Sequence, residues 1–326
     1  DTIQDQKRSG KIGFYHLPYE KKYVKELNSF KNKIKDKYNT FIVLGIGGSS
    51  LGGKTLVRAM KSRKPISDVK VLFLDNVDPD YFINTLQSID LKSTCINVVT
   101  KSGGTAETLS QFSYLYEKMK KVIGSEFTDH FIFTTYPKQG VLRKLSTELG
   151  IPAFEVPENV GGRFSIFTPV GLLPATMAGI DIEAVLDGAR WMDEQCQSDN
   201  YKSNPVLHHA MLFYLLNVRK NKSVSVMMPY SNYLKDFSAW YVQLWGESLG
   251  KQKDIDGKNC YVGQTPLAAI GATDQHSLLQ LLMEGPFDKV MTFVKIKKFN
   301  HEGKIPDLFS NEKEFSYLCN RSFFVQ

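Results

Sequence analysis

Residues 96–110 read INVVTKSGGTAETLS, and they pass from an apolar strand into a helix within one turn. Ile96 to Thr100 is short, β-branched and apolar on both faces, which is the composition of a strand buried on two sides. A helical pattern from Thr105 to Val122 follows at once. Between strand and helix, Thr100, Lys101, Ser102, Gly103, Gly104 and Thr105 bring together hydroxyls, one ammonium and free backbone N–H groups. Such groups at a helix N-terminus bind a phosphate monoester. Helix capping explains Thr105 by itself, but not Lys101 among three hydroxyl-bearing neighbours, so a phosphate cradle is expected here in preference to a solvated loop. No GxxxxGK[ST] occurs in the chain, so the cradle is one for a monophosphate, without provision for nucleotide and magnesium.

The same strand-to-helix grammar repeats outward from this stretch. Apolar runs at Phe41 to Ile46, Val69 to Leu74, Phe131 to Thr135 and Ile151 to Val156 alternate with helical patterns at Leu51 to Met60 and Lys138 to Leu149. Upstream, residues 19–38 place Tyr23, Leu27, Phe30 and Ile34 at a spacing of three to four, an amphipathic helix. After the polar stretch DEQCQSDNYKSN (193–204), a second series reads helix Pro205 to Val218, strand Val224 to Pro229, helix Tyr233 to Ser248, then strands near Ala268 and at Val290 to Ile296. Repeated β-α units predict α/β architecture with two parallel-sheet, three-layer α/β/α domains side by side. The expected division is 38–185 for the first domain, carrying the cradle, and 1–37 with 186–326 for the second. Sites in such folds lie at the carboxyl ends of strands or between domains.

Composition narrows the classes of partner. Hydrophobic content of 42% and charged content of 23% are those of an ordinary folded protein. The longest apolar runs fall far short of the roughly 20 residues that span a bilayer, and no basic-apolar-small signal opens the sequence, so a soluble cytoplasmic protein without membrane partners is expected. The net charge of +7 is spread over many helices instead of forming one basic run interleaved with aromatics, which disfavours nucleic acid and suits a small acidic substrate. Cys95, Cys196, Cys260 and Cys319 stand singly, with no CxxC pair, and read as reduced, mostly buried thiols with no metal site.

Four further segments carry candidate chemistry. LGIGGSSLGG (44–53) begins like a dinucleotide fingerprint, but Ser50 occupies the sixth position of G-x-G-x-x-G. Its glycines, Gly48 among them, let backbone approach a ligand, and Ser49 and Ser50 offer hydroxyls at a helix N-terminus; a plain tight turn is the alternative. In ENVGGRFSIFTPVG (158–171) Arg163 follows two glycines, a placement suited to stabilising an oxyanion, against the alternative of a surface ion pair. In YLKDFSAWYVQLWGESLGK (233–251) the aromatics form a core face, and Glu247 lies beyond it beside Trp245, where partial desolvation would suit a base. His276 occupies the first turn of a helix in GATDQHSLLQLLMEG (271–285), either as a proton-transfer group or as a structural histidine.

In this order GIGGSSLGG, TKSGGTAET, ENVGGRFS, WGESLGK and TDQHSLLQLL resemble the blocks of the phosphoglucose isomerase family, over residues from about 41 to 285. The 29-residue interval from Glu247 to His276 resembles that family's spacing of catalytic glutamate and ring-opening histidine. The resemblance implies reversible conversion of glucose 6-phosphate to fructose 6-phosphate through a cis-enediolate, in glycolysis and gluconeogenesis, with no cofactor. It implies that Gly48, Ser49, Thr100, Lys101, Ser102 and Thr105 hold the sugar phosphate. Glu247 then shuttles the proton, Arg163 stabilises the enediolate, and His276, contributed by the other subunit of a homodimer, helps open the ring. A related isomerase also accepting mannose 6-phosphate and a non-catalytic phosphosugar-binding regulator are the alternatives. The family's late lysine-bearing block has no counterpart before CNRSFFVQ (319–326), so a truncated chain is expected.

Overall fold

The computed structural model describes residues 2–60, 67–301 and 303–322. The first elements are α1 (Thr2–Arg8), α2 (Lys21–Ile34), β1 (Thr40–Leu44), α3 (Leu51–Met60), β2 (Lys70–Leu74), α4 (Pro79–Gln87) and β3 (Thr94–Val99). Then come α5 (Ala106–Ile123), β4 (Phe131–Thr135), α6 (Val141–Leu149), β5 (Ala153–Glu155), α7 (Pro169–Met177) and α8 (Ile182–Gln195). The later part comprises α9 (Pro205–Lys220), β6 (Val224–Pro229), α10 (Lys235–Leu249), β7 (Lys251–Lys253), β8 (Asn259–Val262), β9 (Thr265–Ala268), α11 (Gln275–Glu284), β10 (Lys289–Val294) and α12 (Lys313–Ser316).

Strand β1 shows why the first sheet needs helices on both sides. Phe41 and Val43 point into one core with Tyr23 and Leu27 of α2, Val57 of α3 and the wholly buried α7. Ile42 and Leu44 point into a second core with Phe82 of α4, Phe112, Leu115 and Met119 of α5, and Leu142 of α6. Alternation along a strand sends successive side chains to opposite faces, so a run with no polar residue demands two apolar layers. The result is a three-layer α/β/α unit whose five parallel strands run in the order β2-β1-β3-β4-β5. From β1 the chain moves outward to β2, then returns to the other side of β1 to form β3. The carboxyl ends of β1 and β3 therefore flank the point where the winding reverses, which is where open α/β sheets bind ligands.

A smaller three-stranded sheet, ordered β10-β6-β9, follows, with β6 and β9 parallel. Helix α10 joins the two sheets. Its Asp236 pairs with Arg58 of α3 at 3.1 Å and accepts from the Thr55 hydroxyl through its carbonyl at 3.0 Å. At its middle, the Tyr241 hydroxyl bonds Ser225 of β6, and burial pushes that phenol above its ordinary range. Beyond Phe293 the described residues form a separate compact unit, in which the Asn320 N–H donates to the Ile305 carbonyl and the Ile305 N–H to the Arg321 carbonyl.

Several expectations change on contact with the packing. Residues 21–34 lie against the first sheet, so a boundary that assigns 1–37 to the second domain cuts α2 from the core it fills. Of the four free cysteines only Cys95 is buried, where desolvation raises its thiol far above the normal range; the other three are partly exposed. The β7–β8 hairpin has no apolar alternation to announce it, because its strands are largely exposed. Among the described residues no helix is long and apolar enough to cross a membrane, and no cluster of His, Cys, Asp or Glu is arranged to hold a metal.

Leu27→Ala tests the docking of α2. Leu27 has no exposed surface, so urea unfolding should show a loss of about 2–5 kcal/mol, the range for deleting a buried leucine side chain. A loss within about 0.5 kcal/mol, the usual range for surface substitutions, would mean that α2 does not belong to this core.

Candidate active site

Two loops at the carboxyl edge of the first sheet meet without space between them. A Cβ placed on Gly48 would lie 2.4 Å from the Gly162 carbonyl carbon and 2.9 Å from the Arg163 nitrogen. Only glycine permits that approach. Ser165 closes the same contact from the other side, its hydroxyl donating to the carbonyls of Gly48 at 3.0 Å and Gly162 at 2.7 Å. The strand-to-helix turn after β1 thereby fixes the backbone that carries Arg163.

Helix α10 fixes the side chain. The Trp240 indole N–H donates to the Arg163 carbonyl at 3.2 Å, and Arg163 Nε donates to the Ser248 hydroxyl at 2.8 Å. Its Nη1 faces Glu247 Oε2 at 3.6 Å, and the guanidinium carbon lies 4.4 Å from the Phe164 ring centre. Phe164 in turn stacks on Phe14 at 4.4 Å, so the arginine rests on an aromatic pair. The Glu247 carboxylate is about half exposed (51%) and also accepts from Gln243 Nε2 at 2.9 Å. Desolvation by Trp245, expected from the sequence, is therefore not its setting: Trp245 packs on Phe213 and Tyr241, while Glu247 faces cationic and amide donors.

The turn after β3 lies beside the turn after β1, as the β1–β3 pairing requires; a Cβ on Gly45 would lie 3.2 Å from the Val99 carbonyl oxygen. Gly103 adopts φ +78°, a conformation that side-chain-bearing residues rarely take, and this lets the turn press against Val141 at the start of α6. Thr105 occupies the N-cap position of α5, but its hydroxyl makes no capping bond and instead meets the buried Thr100 hydroxyl at 3.0 Å. Ser102 is exposed and accepts from the Gly104 N–H at 3.4 Å. Lys101 reaches the Glu158 carbonyl at 3.2 Å, tying this turn to the loop that carries Arg163, and lies 5.0 Å from the Tyr136 ring centre. Ser49 is half-buried with no partner for its hydroxyl among the described residues, whereas Ser50 is buried toward Asp75. The amino termini of α3 and α5 both open on this edge, adding partial positive charge to that of Lys101.

The geometry thus gathers Gly48, Ser49, Thr100, Lys101, Ser102, Thr105 and Arg163 around one edge of the sheet, with Glu247 brought to Arg163 by α10. His276 is exposed in the first turn of α11 and makes no side-chain hydrogen bond among the described residues. Sequence reading missed Gln243, although its position four residues before Glu247 puts both on one helical face. Trp240 and Ser248 were also missed, and their partner lies some 80 residues away, beyond any local pattern. What results is a carboxylate and a guanidinium beside an edge rich in hydroxyls and one ammonium, the components needed to move a proton and to stabilise the charge that its removal leaves.

The model of the family described as phosphoglucose isomerase matches residues 20–311. A glucose-6-phosphate isomerase of Carboxydothermus hydrogenoformans is 43% identical over 97% of this chain and 70% of its own length. Among solved structures, a hypothetical protein of Thermus thermophilus superposes with TM-score 0.87 at 35% identity, over 97% of this chain and 73% of that one. A glucose-6-phosphate isomerase of Chlamydia trachomatis superposes with TM-score 0.80 at 28% identity, over 91% and 58% respectively.

Gly48→Ala should force the two loops apart. Because the obstacle is backbone, thermal unfolding should show a loss of about 1–3 kcal/mol, as for other overpacked sites. An unchanged melting temperature would mean that the contact between the loops is loose.

Proposed function

This chain belongs to the phosphoglucose isomerase family, and we infer that it interconverts glucose 6-phosphate and fructose 6-phosphate through a cis-enediolate. The observation that carries the mechanistic reading is Arg163 and Glu247 facing each other 3.6 Å apart beside the hydroxyl-rich edge of the sheet.

An aldose and its ketose differ by one proton moved between C1 and C2 and one between their oxygens. The C–H beside a carbonyl is weakly acidic, so its removal needs a positioned base and a cation near the oxygen that gains charge. Glu247 takes the proton and returns it to the neighbouring carbon. Arg163 stabilises the enediolate oxygens. Ser49, Lys101, Ser102 and Thr105 hold the phosphate, with Gly48 giving the backbone room and Thr100 supporting Thr105 from below. Binding energy at this unreactive end orients the reacting end. No electrons leave the substrate, so the reaction calls for no redox cofactor. His276, exposed on α11, is available to a second copy of the chain, and we propose a homodimer in which it assists ring opening in the partner's site. The reaction serves glycolysis and gluconeogenesis in the cytoplasm, a compartment that suits four free cysteines. A phosphosugar-binding regulator would need the cradle but not a base held against a guanidinium.

Two substitutions separate the roles. Glu247→Gln should lower kcat by about 10²- to 10⁴-fold with KM little changed, as for other general bases; near-normal turnover in a coupled assay would remove Glu247 as the base. Lys101→Ala should instead raise KM about 10- to 100-fold, the value of one charge-assisted hydrogen bond. An unaltered KM for the sugar phosphate would remove Lys101 from the cradle.

A further inference from the structure

We propose that Ser248 is a positioning residue: by accepting the Arg163 Nε–H, its hydroxyl sets the plane of the guanidinium so that Arg163 and Glu247 face each other without locking together. The inference rests on the isomerase reading of the site and concerns how its two charged groups are kept ready for use.

An arginine beside a carboxylate tends toward a bidentate pair, with two parallel N–H···O bonds at about 2.7–2.9 Å. One of its two forks uses Nε together with an Nη nitrogen. In this protein Nε is committed to Ser248 at 2.8 Å, and the closest approach to Glu247 is that of Nη1, at 3.6 Å. That separation is longer than a hydrogen bond. The restraint has further supports. The Arg163 carbonyl is held by Trp240 and its guanidinium is stacked on Phe164, so the side chain pivots between fixed points, and Ser248 is the contact that sets its rotation. Glu247 has its own tether in Gln243.

The consequence is chemical. A carboxylate locked into a bidentate pair is a poorer proton acceptor, because the pair favours the charged form. An arginine so locked also has fewer N–H groups to offer the enediolate. A hydroxyl on Nε leaves the base available and directs Nη1 toward the same space. The other charged groups packed along α10 do not take Ser248's part. Lys251 donates to the backbone carbonyls of Glu247 and Gly250, while Lys54 and Arg58 of α3 are paired with Asp75 and Asp236. Strand β9, which packs on α10, and the turn Gly47–Ser49, which approaches Gln243, carry no titratable side chain.

Ser248→Ala and Ser248→Thr test the assignment, with purified full chain in each case. In the alanine variant the guanidinium is released to close on Glu247. The acid limb of the kcat–pH profile should move to lower pH, and kcat should fall about 10- to 100-fold, the cost of misplacing a catalytic group by about 1 Å. KM should change little, and threonine, which keeps the hydroxyl, should restore both properties. A titration of the Glu247 side chain by carbon-13 NMR, with Glu247→Gln identifying its resonance, gives a readout that needs no turnover. Its midpoint should be lower in the alanine variant than in the parent. An alanine variant with the parent's pH profile and NMR midpoint overturns the proposal, as does a fall in activity that threonine does not rescue. A parent chain that turns over no sugar phosphate while its NMR midpoint still responds to Ser248→Ala would sink the isomerase reading and leave the positioning role intact.

Discussion

Backbone touches backbone where Gly48 meets Gly162 and Arg163, and the arrangement of the site follows from that contact. The turn after β1 belongs to a sheet whose two cores hold it rigid, so whatever is pressed against it inherits its position. The 158–163 loop leaves a short edge strand and has little sheet of its own to define it. Pressed against Gly48 and pinned by Ser165, it becomes as well placed as the turn. Arg163 is then set by what α10 offers: an indole for its carbonyl, a hydroxyl for Nε and a carboxylate for Nη1. Helix α10 is itself anchored to α3, the helix that the Gly48 turn begins, through Arg58–Asp236. Turn, loop and helix thus form a closed circuit of contacts, and the two charged groups sit where it closes.

The site divides its work in space. Hydroxyls, Lys101 and two helix amino termini lie where β1 and β3 end, the edge proposed to hold the phosphate. The carboxylate and guanidinium face each other beside the Gly48 contact, and the proposed reaction assigns them the reacting end. Catalysis by such a site depends on distance, with Glu247 acting through its placement beside Arg163.

How much of this was legible in the sequence depended on whether the signal was local. Strands β1, β3 and β4 were readable because burial on both faces favours apolar, β-branched and aromatic residues, and helix α3 was read with the bounds the structure has. In the second sheet the buried β6 was read with its exact bounds, whereas the shorter or less buried β9 and β10 were read coarsely, and the exposed β7–β8 hairpin carries no apolar period at all. The glycine-rich and hydroxyl-rich turns were singled out through composition alone, and the structure brings them to one edge of the sheet. What could not be read was the pairing of distant groups. That Ser248 would hold Arg163, or that the Thr105 hydroxyl would turn to Thr100 instead of capping its own helix, depends on how two cores orient their loops. Glu247 was found for the wrong environment, since the neighbour in sequence, Trp245, faces the aromatic cluster and the neighbour in space is a guanidinium.

The central claim is that Glu247 moves a proton through an enediolate, and it is tested most directly by proton NMR of fructose 6-phosphate incubated with the protein in deuterated water. A base on a half-exposed carboxylate exchanges part of its captured proton with solvent before returning it. Glucose 6-phosphate should therefore appear with partial deuterium at C2, and both its appearance and the exchange should collapse together in Glu247→Gln. Glucose 6-phosphate that forms with no deuterium at C2 under any condition would point to direct hydrogen transfer between the carbons, and would contradict the account.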